Sequence, residues 1–244
     1  MNSTIRCKRC GASLEEAIGP CSHCGGEVEL AVLLTGVGAT AQPGRLGAVS
    51  DELVRGDGDR IRYVAPSGAR SESALTGDGV RLHAEPPVDI GTRGEPRVFD
   101  RLVALLSARG PAPDVLPASD RDGEDRVIRY GGETITIQIV SAGPGPEFWR
   151  DVARGSGQAQ GNLDVAAAWV HDAIADKAGM YTTPQKGSML LAVDVSHMGV
   201  LSSTTFVATY IQTYGDPAAE SGLGAVWLVG PTDNRCARLG TSRW

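Results

Sequence analysis

An α/β fold is predicted for the C-terminal part of this chain, behind a cysteine-bearing N-terminus and a β-rich stretch. Three observations lead there. Helical and strand periodicities alternate as α, β, β, α, β, α, β between residues 95 and 229. Met189–Val195 is a continuous apolar run bounded by turn residues, as a buried parallel strand requires. Hydrophobic residues make up 41% of 244 residues, enough for a sizeable core.

The N-terminus carries Cys7-Lys-Arg-Cys10 and, after ten intervening residues, Cys21-Ser-His-Cys24. Two C-x-x-C turns offer four thiolates to one tetrahedral ion, and Gly11, Gly25 and Gly26 let the backbone close around it. This spacing predicts a zinc ribbon over residues 1–30, with Cys7, Cys10, Cys21 and Cys24 as ligands. Four cysteines leave no open coordination position, so the zinc is expected to be structural. Two disulfides are the alternative. No apolar segment follows the first charges as a secretory signal would require, and a cytoplasmic location, where thiols stay reduced, is expected. The fifth cysteine, Cys236, reads as a small apolar residue.

Residues 31–91 read as a β-rich module or insertion. Arg60–Val64 and Val80–His83 are strand-like stretches separated by Gly-Asp-Gly-Asp at 56–59, Pro-Ser-Gly at 66–68 and Gly-Asp-Gly at 77–79. Thr35-Gly-Val-Gly lacks the Lys-Ser/Thr pair of a phosphate loop and reads as a turn.

The α/β domain is expected over residues 92–244. Glu95–Leu106 has apolar residues at helical spacing, with Pro96 at its start and Gly110 beyond its end. Arg126–Tyr130 and Glu133–Val140 are β runs joined by Gly131-Gly132, a hairpin signal. Residues 156–161 are polar and glycine-rich. Asn162 caps a helix predicted to run to Lys177, Phe206–Tyr214 is a further helix, and Ala225–Val229 is a final strand.

Charge is distributed without a basic stripe. The net charge is −6, and residues 1–26, 27–91, 92–154 and 155–244 carry +1, −4, −1 and −2. Strong salt-driven binding to nucleic acid is therefore not advertised, although a metal-dependent site is itself acidic. No run approaches the roughly 18 apolar residues of a transmembrane helix, so no membrane partner is expected. Lysine is rare: Lys8, Lys177 and Lys186 are the only ones. On a helical wheel with Leu163 at about 0°, Lys177 falls near 320°, inside the apolar stripe, with Asp172 and Asp176 on the other side. A snorkelling stem explains that placement as well as a functional role does.

Thr134, Thr136 and Gln138 share one face of the second hairpin strand, and Ile135, Ile137 and Ile139 share the other. Gln138 is thus an amide on what reads as the open face, as a ligand or as a plain surface residue. The acidic cluster Asp120, Asp122, Glu124 and Asp125 precedes the first hairpin strand. Asp194-Val-Ser196-His197 follows a strand, but no Gly-x-Ser-x-Gly elbow exposes Ser196 as a nucleophile.

In element order and in these residues, the stretch 95–195 resembles a divergent PD-(D/E)xK, or restriction-endonuclease-like, nuclease core. In that family a helix precedes a hairpin carrying an Asp, followed by an acidic-x-Lys triplet, a helix and another strand. The resemblance puts Glu95 on the first helix, Asp125 on the first hairpin strand and Gln138-Ile139-Val140 at the triplet. Gln138 replaces the usual acid, which some members tolerate, and Val140 stands where the lysine belongs. Some members supply the lysine from the following helix, where Lys177 lies.

The resemblance implies that Asp125, with Gln138 and Glu95, holds Mg²⁺ or Mn²⁺ through hard oxygen ligands. It also implies that Lys177 orients the attacking water or stabilises the phosphorane. The expected activity is hydrolysis of nucleic-acid phosphodiesters. The alternative is a non-catalytic adaptor whose ribbon contacts nucleic acid or a protein partner and whose α/β domain is a scaffold.

Overall fold

A computed structural model describes residues 59–65, 67–87, 94–117, 126–232 and 235–244, together with the strand backbone at 5–6, 13–14 and 53–56. The chain divides into two compact units, Met1–Gly47 and Ala48–Trp244. In the first, β1 (Ile5–Arg6) pairs antiparallel with β2 (Ser13–Leu14). The expected zinc ligands Cys7, Cys10, Cys21 and Cys24 lie outside the described residues, as does Asp125.

The second unit is mixed α/β with two sheets. An antiparallel meander comes first: β3 (Leu53–Gly56), β4 (Arg60–Val64), β5 (Arg70–Thr76) and β6 (Gly79–Glu85). β4, the first half of β5 and most of β6 alternate buried with more exposed residues. Ile61, Tyr63, Val80, Leu82 and Ala84 are buried, while Arg60, Arg62, Arg70 and Arg81 face solvent. On the outer face Glu72 receives hydrogen bonds from Arg60 and Arg62. Partial burial pushes its carboxyl up, but the two guanidiniums outweigh this and hold it below the ordinary value.

After α1 (Glu95–Arg109) come β7 (Asp114–Leu116), β8 (Arg126–Tyr130) and β9 (Glu133–Ser141). Gly131 and Gly132 both take positive φ (58° and 85°), as a tight two-residue hairpin turn demands. The chain continues through α2 (Pro146–Arg154), β10 (Gly157–Gly161), α3 (Leu163–Gly179), the short α4 (Thr183–Lys186) and β11 (Met189–Asp194). A 3₁₀ segment (Ser196–Ser202), α5 (Thr204–Tyr214), α6 (Pro217–Ser221), β12 (Ala225–Val229) and β13 (Cys236–Ser242) complete it.

The second sheet has the order β13-β12-β11-β9-β8-β7. Its centre is parallel, β9 beside β11 beside β12, and its flanks are antiparallel. All six residues of β11 are buried, which is why it is apolar from Met189 to Val193, with Asp194 closing it. One face of the sheet presents Ile135, Ile137, Leu190 and Trp227 to Val98, Leu102 and Leu106 of α1. The other presents Leu191, Val193, Val226 and Leu228 to Val170 and Ile174 of α3 and Phe206 of α5. The sheet is therefore a covered middle layer.

One element is not announced by its composition. The polar glycine-rich stretch at 156–161 is β10, paired antiparallel with β6 at the edge of the first sheet. A Cβ on Gly79 would fall 2.1 Å from the Gly161 carbonyl oxygen, and one on Gly161 would fall 2.7 Å from Val165. The glycines permit close approach there, which hides the strand from a pattern search. The ladder joins β10 to β6 within the compact unit Ala48–Trp244.

Candidate functional site

α3 forms because Asn162 accepts a hydrogen bond from the Val165 amide at its N-terminus and because Ala166, Val170, Ile174 and Ala178 form one buried stripe. Its flank carries Trp169, Asp172, Ala173, Asp176, Lys177 and Met180 at i, i+3 and i+4 spacing. That flank faces the end of β9 at Val140 and Ser141 and the Gly143-Pro144-Gly145 loop, enclosing a cavity of about 340 Å³. The C-terminal end of a central strand in a sheet of this kind is where α/β proteins commonly place ligands.

Lys177 is half-buried and lines this cavity together with Val140. It does not project into the core, because the buried stripe turns past it. Asp172 and Asp176, expected on the far side of the helix from Lys177, line the same cavity.

Gln138 is fully buried. The face of β9 on which it sits is not open as expected. The sheet is covered on that side, and the chain after α3 brings Tyr181 over it, where the hydroxyl donates to Gln138 Oε1 at 2.7 Å. Glu95 is the first residue of α1, on the opposite face of the sheet, and does not line the cavity. The β8 ladder begins at Arg126, opposite Ile137 and one residue short of Gln138. Asp125 is the residue before it in the chain.

Asp172 and Asp176 give the cavity hard oxygen donors. Mg²⁺ commonly takes one or two carboxylates and fills its remaining positions with water and substrate phosphates, so the donor set suits such an ion in kind. Among the described residues, no group of three or more His, Cys, Asp or Glu side chains converges as a metal cage would.

At the ends of β11 and β12 a second polar cluster is sealed inside the protein. Arg101, 3% exposed, donates to Ser196 Oγ and to the Gly230 carbonyl, both at 2.8 Å. The Asp194 carboxylate accepts from the Ser196 amide at 2.9 Å. His197 meets the rings of Tyr63 and Trp149 edge-on. Ser196 is 1% exposed and its oxygen is engaged by Arg101, so burial as well as the missing elbow argues against a nucleophile.

Sequence reasoning missed Tyr181, Arg101 and the two aspartates beside Lys177. The signal for the last was the Gly-Pro-Gly-Pro break at 143–146, which ends β9 and opens a gap beside α3. Comparisons of the chain with family models, with curated proteins and with solved structures give no match. Among the described residues no helix is long and apolar enough to cross a membrane.

Proposed function

We propose that the chain hydrolyses nucleic-acid phosphodiesters in a metal-dependent reaction, through a divergent PD-(D/E)xK-like domain preceded by a structural zinc ribbon. One observation carries this reading: Val140, which stands at the triplet's lysine position, and Lys177, on the next long helix, line one cavity. From α1 to β11 the order is helix, three strands, helix, strand, two helices and a strand, so the helix, hairpin, helix, strand sequence of that core is present with α2 and β10 inserted between β9 and α3.

Within that reading Asp125, with Asp172 or Asp176, holds the cation. Mg²⁺ or Mn²⁺, when bound, supplies polarisation of the phosphodiester and a lowered pKa for water. Lys177 places a positive charge where the phosphorane oxygens gain negative charge, and orients the water beside them. The Gly143–Gly145 loop gives backbone access to the substrate. Gln138 would add an amide oxygen to that ligand set only with Tyr181 released from it.

The test is cleavage of labelled DNA and RNA with Mg²⁺ or Mn²⁺, comparing wild type with Asp125→Ala and Lys177→Ala. Loss of about 100-fold or more in each folded variant is expected, as for removal of a principal charge-stabilising group. Cleavage that survives both substitutions would place the chemistry elsewhere.

A second reading is favoured by the sealing of Gln138 under Tyr181. A degenerate nuclease fold that binds nucleic acid or a protein without cleaving it would keep this position closed. Saturable oligonucleotide binding by wild type, with no cleavage under either metal, is the outcome that selects it.

A further inference from the structure

On a different flank of α3 lies a second cavity, of about 330 Å³, at the small end of the range for ligand pockets. Ile174, Ala175, Ala178 and Pro217 make its apolar wall, and His171 and Tyr210 add a polar edge. His171 is held there by stacking on Tyr214, with ring centroids 4.1 Å apart and planes 13° from parallel. Two opposite charges, Lys186 and Glu220, line the same space. They do not pair with each other, and neither side chain makes a hydrogen bond or ion pair with another described residue.

Glu220 has room because of Gly215. This residue adopts φ +73°, and a Cβ placed on it would fall 2.1 Å from a Glu220 carboxylate oxygen. Burial, and then the Glu220 charge, push the Tyr210 hydroxyl above its ordinary value, in keeping with the two side chains lining one cavity.

An unpaired cation and an unpaired anion over an apolar wall match a small molecule that carries both charges and an apolar body. We propose that this cavity binds a zwitterionic small molecule of the apolar α-amino-acid class. Lys186 receives the carboxylate, Glu220 receives the ammonium, and the side chain lies against Ile174, Ala178 and Pro217. Charged hydrogen bonds at both ends fix orientation, and the apolar wall supplies affinity. The site is separate from the Lys177 cavity, so its fate does not depend on whether the chain is a nuclease.

The experiment is calorimetric titration of the full chain with L-leucine, leucinamide, which lacks the carboxylate, and N-acetylleucine, which lacks the ammonium. Leucine is expected to bind about fivefold or more tightly than either analogue, in proportion to one charged hydrogen bond each. Lys186→Met is expected to abolish the preference over leucinamide, and Glu220→Gln the preference over N-acetylleucine. Lys186 is half-buried and Glu220 exposed, and the analogue comparison on wild type needs no variant. Absence of saturable leucine binding, equal binding of all three probes, or preferences unmoved by both substitutions would each overturn the proposal.

Discussion

The Tyr181 hydroxyl donates to Gln138 Oε1 across 2.7 Å, which joins the segment after α3 to the buried middle of β9. An amide in a sheet interior is tolerated only when its polar atoms are satisfied. Tyr181 therefore acts both as a lock on the α3 C-terminus and as the partner that keeps Gln138 folded inward.

Tyr181→Phe removes one hydroxyl and leaves a buried acceptor short of a donor. A loss of about 1–2 kcal/mol is expected, within the range for one unsatisfied buried polar group. Urea unfolding followed by circular dichroism measures it. An unchanged midpoint would mean that water or a neighbour replaces the hydroxyl. If Gln138 serves the metal, the same variant also binds Mn²⁺ more tightly than wild type, since the competing donor is gone.

The cysteine spacing makes a prediction independent of the α/β domain. Metal analysis of the purified chain is expected to give one zinc per chain, and Cys7→Ser or Cys24→Ser to reduce it sharply, because each removes one of four thiolates. Zinc-free protein with intact free thiols would overturn the ribbon.

Where an element's own residues mark its burial or its ends, the sequence was readable. The hairpin at 126–141, the Asn162 cap of α3 and the apolar run of β11 all stand where the local residues placed them. What stayed hidden depends on partners remote in sequence. β10 has the composition of a loop, because Gln158 and Gln160 face outward and its glycines exist to let β6 and α3 come close. Lys177 fell on the apolar stripe of an ideal wheel, yet it lines a cavity whose other wall is the break after β9. No local pattern encodes Tyr181 reaching over Gln138, 43 residues earlier in the chain.

Arg101 ties α1 to the far ends of β11 and β12 through Ser196 Oγ and the Gly230 carbonyl. It lies over Tyr63 from the first sheet, with its guanidinium carbon 5.8 Å from the ring centroid. Arg101→Met keeps much of the stem but leaves two buried oxygens without this donor. A destabilisation of about 2–4 kcal/mol is expected, the range for breaking a buried network. A chemical denaturation midpoint within error of wild type would show that the network contributes nothing net.

Asp216 clamps the start of α6 to β13. One carboxylate oxygen accepts from the Ala218 and Ala219 amides at 3.0 and 3.2 Å, and the other accepts from the Thr241 amide at 2.8 Å. Partial burial pushes the carboxyl up, but hydrogen bonds from Thr241, Ala219 and Ala218 outweigh it and hold it below its ordinary value of 3.8. A depressed folded-state pKa contributes stability that is fully present above the unfolded value. That contribution is lost as pH falls below it and through the folded value. Wild type is therefore expected to lose stability on acidification below about pH 4 more steeply than Asp216→Ala, while at neutral pH the variant is the weaker by about 1 kcal/mol, as for a lost N-cap. Gly240 supplies a second variant: at φ +81°, a Cβ there would fall 2.2 Å from the same carboxylate. Gly240→Ala is expected to reproduce both the neutral-pH loss and the flattened acid response. Parallel acid curves for wild type and both variants would show that the clamp carries no proton linkage.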